Sequence, residues 1–341
     1  MRIRLGQDMC LGIGKEASWT MPPTAYKPLT VLQQNLAEIA SRRRRQNLGG
    51  GQFATKSQLI HAHIGGDISL QLAFGNGDDL LASGVGGLWR NRDISGLLTM
   101  LPRGARLSSL SPDMGTGQTA PSFSLLRRFD RRDDWQHFYG LKSSRLRLTI
   151  GTGGEAVLGA TMIGKMSSPA HRTASQLGNA MPLATVSPPF NLNHAPSALA
   201  IQILGAESRL LHSTGDFVLS HLTLTMTRGG MTPLFGLSAM SPLGITDGLL
   251  AIDGALHLLY TPSLATLLRA DTRLKIQLTI YDEAGHAVVV LLPSNLITNS
   301  EIETSSPALP PLLRVQFESH HDPEDSSSPL IAIGMAELDA D

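Results

Sequence analysis

Residues 65–74 read GGDISLQLAF, in which Ile68, Leu70, Leu72 and Phe74 alternate with Asp67, Ser69, Gln71 and Ala73. Successive side chains of a strand point to opposite faces, so this period of two describes a strand with one buried face and one wet face. The habit recurs through Leu146, Leu148 and Ile150 in SRLRLTI (144–150) and through Leu222, Leu224 and Met226 in SHLTLTM (220–226). It returns in RLKIQLTIYD (273–282) and, near the end, in LLRVQF (312–317). At least eight strands are expected, and the class is all-β in the sense of mainly β.

Helical signals are few and short. Asn76 and the acidic pair Asp78 and Asp79 precede LLASGV (80–85), as an N-cap and a dipole-matched first turn would. TPSLATLLRAD (261–271) places Pro262 early, with Leu264, Leu267 and Leu268 at helical spacing.

These pieces recur in order. Aligning residues 66–83 with 254–271 puts Gly66 on Gly254, Ile68 on Leu256, Leu70 on Leu258 and Leu72 on Tyr260, with a short helix next in both. Each half then contains a hairpin, LTIGTGGEAVLGATMI (148–163) in one and LTIYDEAGHAVVVLL (278–292) in the other. The reading is two tandem β-sandwich or barrel domains, 1–180 and 198–341, each with a short flanking helix. Between them runs the Pro-rich linker MPLATVSPPFNLNHAPS (181–197), and the first copy carries an insertion at about 88–120.

Composition limits the function classes. Apolar residues make up 42% and charged residues 16% of 341 positions, which separates the chain from disordered sequences. The formal net charge is zero, which gives no polycation for nucleic acid. The charge is divided, however: residues 1–150 hold 20 basic and 11 acidic side chains, a net +9, and the remainder carries −9. Opposed patches of this kind suit a head-to-tail contact between copies, or else the basic runs sit on solvated loops. A lone Cys10 excludes an intrachain disulfide and fits a reducing cytoplasm. The first residues lack a signal-peptide core, and no window approaches an apolar membrane span, so a soluble protein with no membrane partner is expected.

The chemical motifs are weak. LGIGKEAS (11–18) contains Gly-Lys, but Met9 and Glu16 stand where a phosphate loop needs Gly and Ser or Thr. The glycines of IGTGGEAVLG (150–159) lie between two strands and read as a hairpin turn. His61 and His63 share a strand face without a nearby third ligand, and ESHHDPEDSSS (318–328) reads as a solvated loop. No metal, cofactor or catalytic residue is assigned, and there is no Gly-x-Ser-x-Gly elbow.

Taken in order, LGQDMCLGIGKEASWTMPPTAYKPL (5–29), IGGDISLQLAFGNGDDLLASGVGG (64–87) and the stretch from Pro121 to Met166 resemble the major tail tube proteins of long-tailed bacteriophages, as does the second half from Ser220 through LPSNLI (292–297). RRRRQ (42–46) and the 88–120 stretch depart from that pattern. The resemblance implies a non-enzymatic virion protein of the tail, assembled in the host cytoplasm. Three chains would form each ring with pseudo-sixfold symmetry, or six chains if only one domain lines the lumen. Stacked rings would make a tube through which duplex DNA passes during ejection, with tape-measure, tail-terminator and baseplate or distal tail proteins as partners. It also implies an inter-ring loop after the first strand. There Arg42, Arg43, Arg44 and Arg45 would meet acids of an adjacent ring or subunit, and Gly49, Gly50 and Gly51 would let the loop bend. Two other classes stay open: a carbohydrate- or surface-binding β-sandwich module of a virion or other tail or baseplate protein, and an esterase-like enzyme on a β scaffold. Aromatic content of 5% disfavours a sugar platform.

Overall fold

The computed structural model describes residues 9–43, 57–91, 106–110, 120–129, 134–168, 187–205, 208–304, 309–320 and 330–335. The first half contributes β1 (Met9–Lys15), β2 (Lys27–Leu29), β3 (Gln33–Gln34), β4 (Ala37–Arg43), β5 (Gln58–Gln71) and α1 (Asp78–Val85). It continues with β6 (Arg90–Asn91), β7 (Arg106–Leu110), β8 (Phe123–Phe129), β9 (Asp134–Ile150), β10 (Ala156–Gly164) and β11 (Met166–Ser167). The second half contributes β12 (Ala198–Leu204), β13 (Arg209–His212), β14 (Leu219–Gly229), β15 (Pro233–Leu234), β16 (Gly244–Ile245) and β17 (Leu249–Leu259). After α2 (Pro262–Leu267) come β18 (Arg273–Tyr281), β19 (His286–Glu303), β20 (Leu312–Ser319) and β21 (Leu330–Met335). The protein is all-β, and every strand pair among the described residues is antiparallel.

The pairing is written twice. In the first half the neighbours run β2–β1–β8–β9–β10–β5–β4; in the second, β13–β12–β18–β19–β20–β17–β14. Irregularities fall at matching places. The β8–β9 ladder shifts between Phe123 and Leu125, and the β18–β19 ladder between Leu274 and Ile276. The β9–β10 ladder shifts between Thr161 and Met162, where β9 skips Ser144; the β19–β20 ladder skips Thr298. A bulge bends its strand. In each half the long strand thereby leaves one sheet and enters the other, making the sandwich corner.

The matched pairings also place Gly66 on Gly254, as the sequence alignment has it: Gly66 faces Met162 and Gly254 faces Phe317. Gly254 is required by close approach, because a Cβ there would lie 2.1 Å from Cζ of the Phe317 ring. One alignment from the sequence needs correction. The counterpart of the β9–β10 hairpin is β19–β20, and β18–β19 corresponds to β8–β9. Thr-Ile, a turn and Ala-Val is a local pattern that any hairpin of the sheet can satisfy, whereas the choice of partner strand is non-local.

The caps divide similarly. Thr261 caps α2, its Oγ1 accepting the Leu264 N–H at 3.3 Å, with Pro262 in the first turn. Asn76 does not cap α1. That position belongs to Gly77 at φ 101°, and the Asn76 side chain instead ties β5 to β2 by donating to Gln71 O (3.0 Å) and Thr30 O (3.1 Å). Neither helix is long and apolar enough to cross a membrane.

One apolar core runs through both halves and includes Leu70, Leu146, Leu224, Leu256 and Val315. Residues 187–197 are part of it. Phe190 is fully buried, donating from its N–H to Leu72 O (2.9 Å) and accepting from Ala156 N (2.9 Å), while Asn191 N donates to Tyr281 O (3.1 Å). The expected linker thus adds backbone bonds to both halves; its residues 181–186 lie outside the described residues. Of the 88–120 insertion, β7 pairs with β21, which itself pairs with β19 of the second half.

Candidate assembly surface

The two halves meet strand to strand. β9 pairs with β14 from Ile150 opposite Leu222 to Arg145 opposite Thr227, with Leu148 facing Leu224. On the core side Leu146, Leu148, Leu222, Leu224 and Met226 are buried, each worth about 1.5–3 kcal/mol. On the other side Arg145, Arg147 and Thr149 lie against Thr223, Thr225 and Thr227. Helix α1 packs over the junction on β9 and β14. Arg228, on β14, donates from Nε to Gly84 O and from Nη2 to Val85 O, both at 3.0 Å, so a second-half arginine caps a first-half helix. Burial lowers the Arg228 pKa, and nearby Asp247 opposes that shift.

The connection between β14 and β17 also crosses the junction. Met240 O accepts from Ala62 N on β5 at 2.8 Å, and Asp247 accepts from the buried Lys142 Nζ at 2.9 Å. Phe235 lies against both histidines of the HAH stretch, its ring centroid 4.1 Å from that of His61 and 6.3 Å from that of His63. Those histidines therefore serve packing between the halves. Burial and the neighbouring His61 lower the His63 pKa.

Inside the chain, β9 and β14 satisfy each other's edges. Their counterparts do not. Among the described residues β4 pairs only with β5, and β19 beyond Ile297 pairs only with β20. Ala37, Glu38, Ile39 and Ala40 are all exposed along β4. Ile302 is 54% exposed, whereas its counterpart Leu148 is 5% exposed beneath Leu224. A sheet edge is a row of unpaired N–H and C=O groups that templates another strand. The chain presents two such edges, one at each end of an eight-strand run, β4–β5–β10–β9–β14–β17–β20–β19.

The open face of this run is polar. Thr161 Oγ1 donates to Asp67 Oδ1 at 2.7 Å, and Arg314 Nη1 donates to Glu301 Oε1 at 3.1 Å and to Glu303 Oε1 at 3.4 Å. Of the basic run, Arg42 and Arg43 extend β4 opposite Leu59 and Gln58 and are exposed; Arg44, Arg45, Gly49, Gly50 and Gly51 lie outside the described residues. The Lys15–Glu16 step does structural work. Buried Glu16 accepts from Thr20 N (2.7 Å), Ser122 Oγ (2.7 Å), Ser124 Oγ (2.6 Å) and Gly140 N (2.8 Å), locking β1 to β8 and β9. Cys10 is an exposed free thiol on β1. Among the described residues no three His, Cys, Asp or Glu side chains gather as a metal site would require.

Sequence reasoning did not find the β9–β14 junction or the open edge of β19. The signal available was the alternation of Ile302 with Glu301 and Glu303 beyond Pro293, a residue that reads as a strand breaker.

These features describe an all-β protein whose halves share a sheet and whose terminal edges, among the described residues, stay open. The sequence profile of the family described as phage tail tube protein matches residues 6–318. The chain belongs to that family, a family of structural proteins of the phage tail tube, which places it in the virion tail. No curated protein matched the chain.

Proposed function

We propose that the chain polymerises into stacked rings that form the conduit for DNA ejection, three chains to a ring. The observation that carries this reading is the β9–β14 ladder, a sheet continued from one tail-tube domain into the next inside a single polypeptide. Two domains, 1–180 and 198–341, each supply four strands to the continuous sheet, so three chains supply six domains. At about 4.8 Å per strand and a tilt of about 40°, roughly 24 strands enclose a backbone cylinder some 45–50 Å across, wide enough for a duplex after side chains fill its rim. The open face suits a sliding polyanion: it is rich in threonine, its exposed Arg145 and Arg147 share their cross-strand rows with Asp67 and Asp253, and Arg314 is held by two glutamates, which limits phosphate affinity.

Arg42 and Arg43 lie on the end of β4 and not in a loop as expected; in this reading they and the following Arg44 and Arg45, with Gly49 to Gly51, meet the acidic second half of a neighbouring chain in the same or the adjacent ring. Tape-measure, terminator and baseplate proteins are the partners at the tube's ends, and assembly takes place in the host cytoplasm. Electron microscopy of concentrated protein tests the reading. Threefold rings or tubes about ten nanometres wide are expected. A monomer at every concentration, or a ring of six chains, would overturn it.

A further inference from the structure

We infer that β4 of one chain adds to the free edge of β19 of a second copy in a single register, with Leu36 opposite Ile302 and Ala37 opposite Glu301. This inference rests on the ring reading and assigns the residues of its closing joint.

The register follows from the internal repeat. Thr225 faces Asp253 on β17, and Ala37 faces Gly65 on β5; Asp253 and Gly65 each precede one of the matched glycines, so Ala37 is the counterpart of Thr225, and Leu36 of Leu224. On the other strand, Leu148 faces Leu158, which lies beside Leu70, and Ile302 faces Leu313, which lies beside Leu258. Leu70 and Leu258 are matched positions, so Ile302 is the counterpart of Leu148, and Glu301 of Arg147. The chain already pairs Leu224 with Leu148 and Thr225 with Arg147. Transposed to the open edges, the same ladder runs from Gln34 opposite Thr304 to Ile39 opposite Asn299.

Three observations agree. Ala37 to Ala40 are exposed, and Ile302 is uncovered where Leu148 is buried; Leu36 is buried, and its N–H, now donating to Gln34 Oε1 at 3.2 Å, and its C=O, now accepting from Arg127 Nη1 at 3.4 Å, would exchange those side chains for the incoming strand. The bulge that ends the β9–β14 ladder, at Ser144, has its twin at Thr298. The third is a difference of chemistry at one rung. The permanent junction sets Met226 against Leu146, whereas the open one would set Glu38 against Ser300. A charged residue on an edge strand discourages indiscriminate pairing, and at this core-facing rung the edge that waits in solution carries one where the internal joint has none.

Directly opposed residues in an antiparallel ladder lie about 4.5–5.5 Å apart, within reach of a disulfide. In a Cys10→Ser background, Ala37→Cys with Glu301→Cys should give disulfide-linked multimers ending at a trimer on non-reducing gels of assembled protein, while Ala37→Cys with Asn299→Cys should not. A separate Ile302→Asp variant should melt as the parent does, because the side chain is already exposed, yet need roughly tenfold more protein to assemble. Rings or tubes in which the 37/299 pair links as readily as 37/301, or in which neither links, would overturn the register and leave the ring reading standing. Absence of any assembly in the parent would overturn both.

Discussion

Arg228 Nη2 lies 3.0 Å from Val85 O, and through that bond the second half of the chain closes the last turn of the first half's helix. Gly86 follows at φ 76°, and a Cβ there would lie 1.4 Å from the same guanidinium nitrogen. Truncating Arg228 to Ala removes a charged donor from two helix-end carbonyls and should cost about 2 kcal/mol. Urea unfolding followed by circular dichroism would report it, with Arg228→Lys recovering only part because lysine lacks the two-pronged donor.

Glu16 supplies a second test of the interior. Replacing it with Ala leaves two serine hydroxyls and two backbone N–H groups without their shared acceptor, a loss of about 3 kcal/mol or more. Ser122→Ala alone removes one of the four donors and should cost about 1 kcal/mol. Equal effects of the two variants in thermal unfolding would contradict this account.

Asp78, at the start of α1, should make stability fall as pH rises. Burial, reinforced by Asp79 and opposed by Lys27, raises its pKa from 3.8 to about 6. The fold therefore favours the protonated form. Its contribution is full below the unfolded value and is lost as pH climbs through about 6. Asp78→Asn should exceed the parent in melting temperature at pH 8 by the equivalent of a few kcal/mol at most, and the difference should shrink as pH falls toward 4. A constant difference across that range would assign the effect to something other than this carboxyl.

Glu38 tests the guarded edge. Glu38→Val places an apolar side chain where the permanent junction has Met226, and assembly should begin at a lower protein concentration in sedimentation runs. A higher threshold would show that the glutamate bonds across the joint.

Charge reversal of Arg42 to Arg45 addresses the basic run. With all four changed to Glu, tube yield should fall and the defect should weaken in high salt, since exposed charges are screened. Unchanged yield would discard the role.

The strands were legible because their alternation is local: Ile68, Leu70 and Leu72 are buried as their spacing requires. So was the repeat register at Gly66 and Gly254, because those glycines sit at crowded crossings. What escaped were choices made across the chain. Nothing near Ile302 says which strand it lacks, and the bulge at Thr298 reverses the parity of β19 without a glycine to announce it. Asn76 looked like a cap because Asn commonly is one, while its amide is committed to Thr30 and Gln71.

Residues 187–197 hold the two halves in a fixed alignment through Phe190 and Asn191. In the proposed ring of three chains, half of the six joints would then be made during folding, before any bimolecular encounter. Two collisions between molecules would suffice in place of five, the last joint closing within the assembly, and each collision would align two units at once. Mass action thus works against a smaller loss of translational freedom, which favours completed circles over stalled arcs when subunits are scarce.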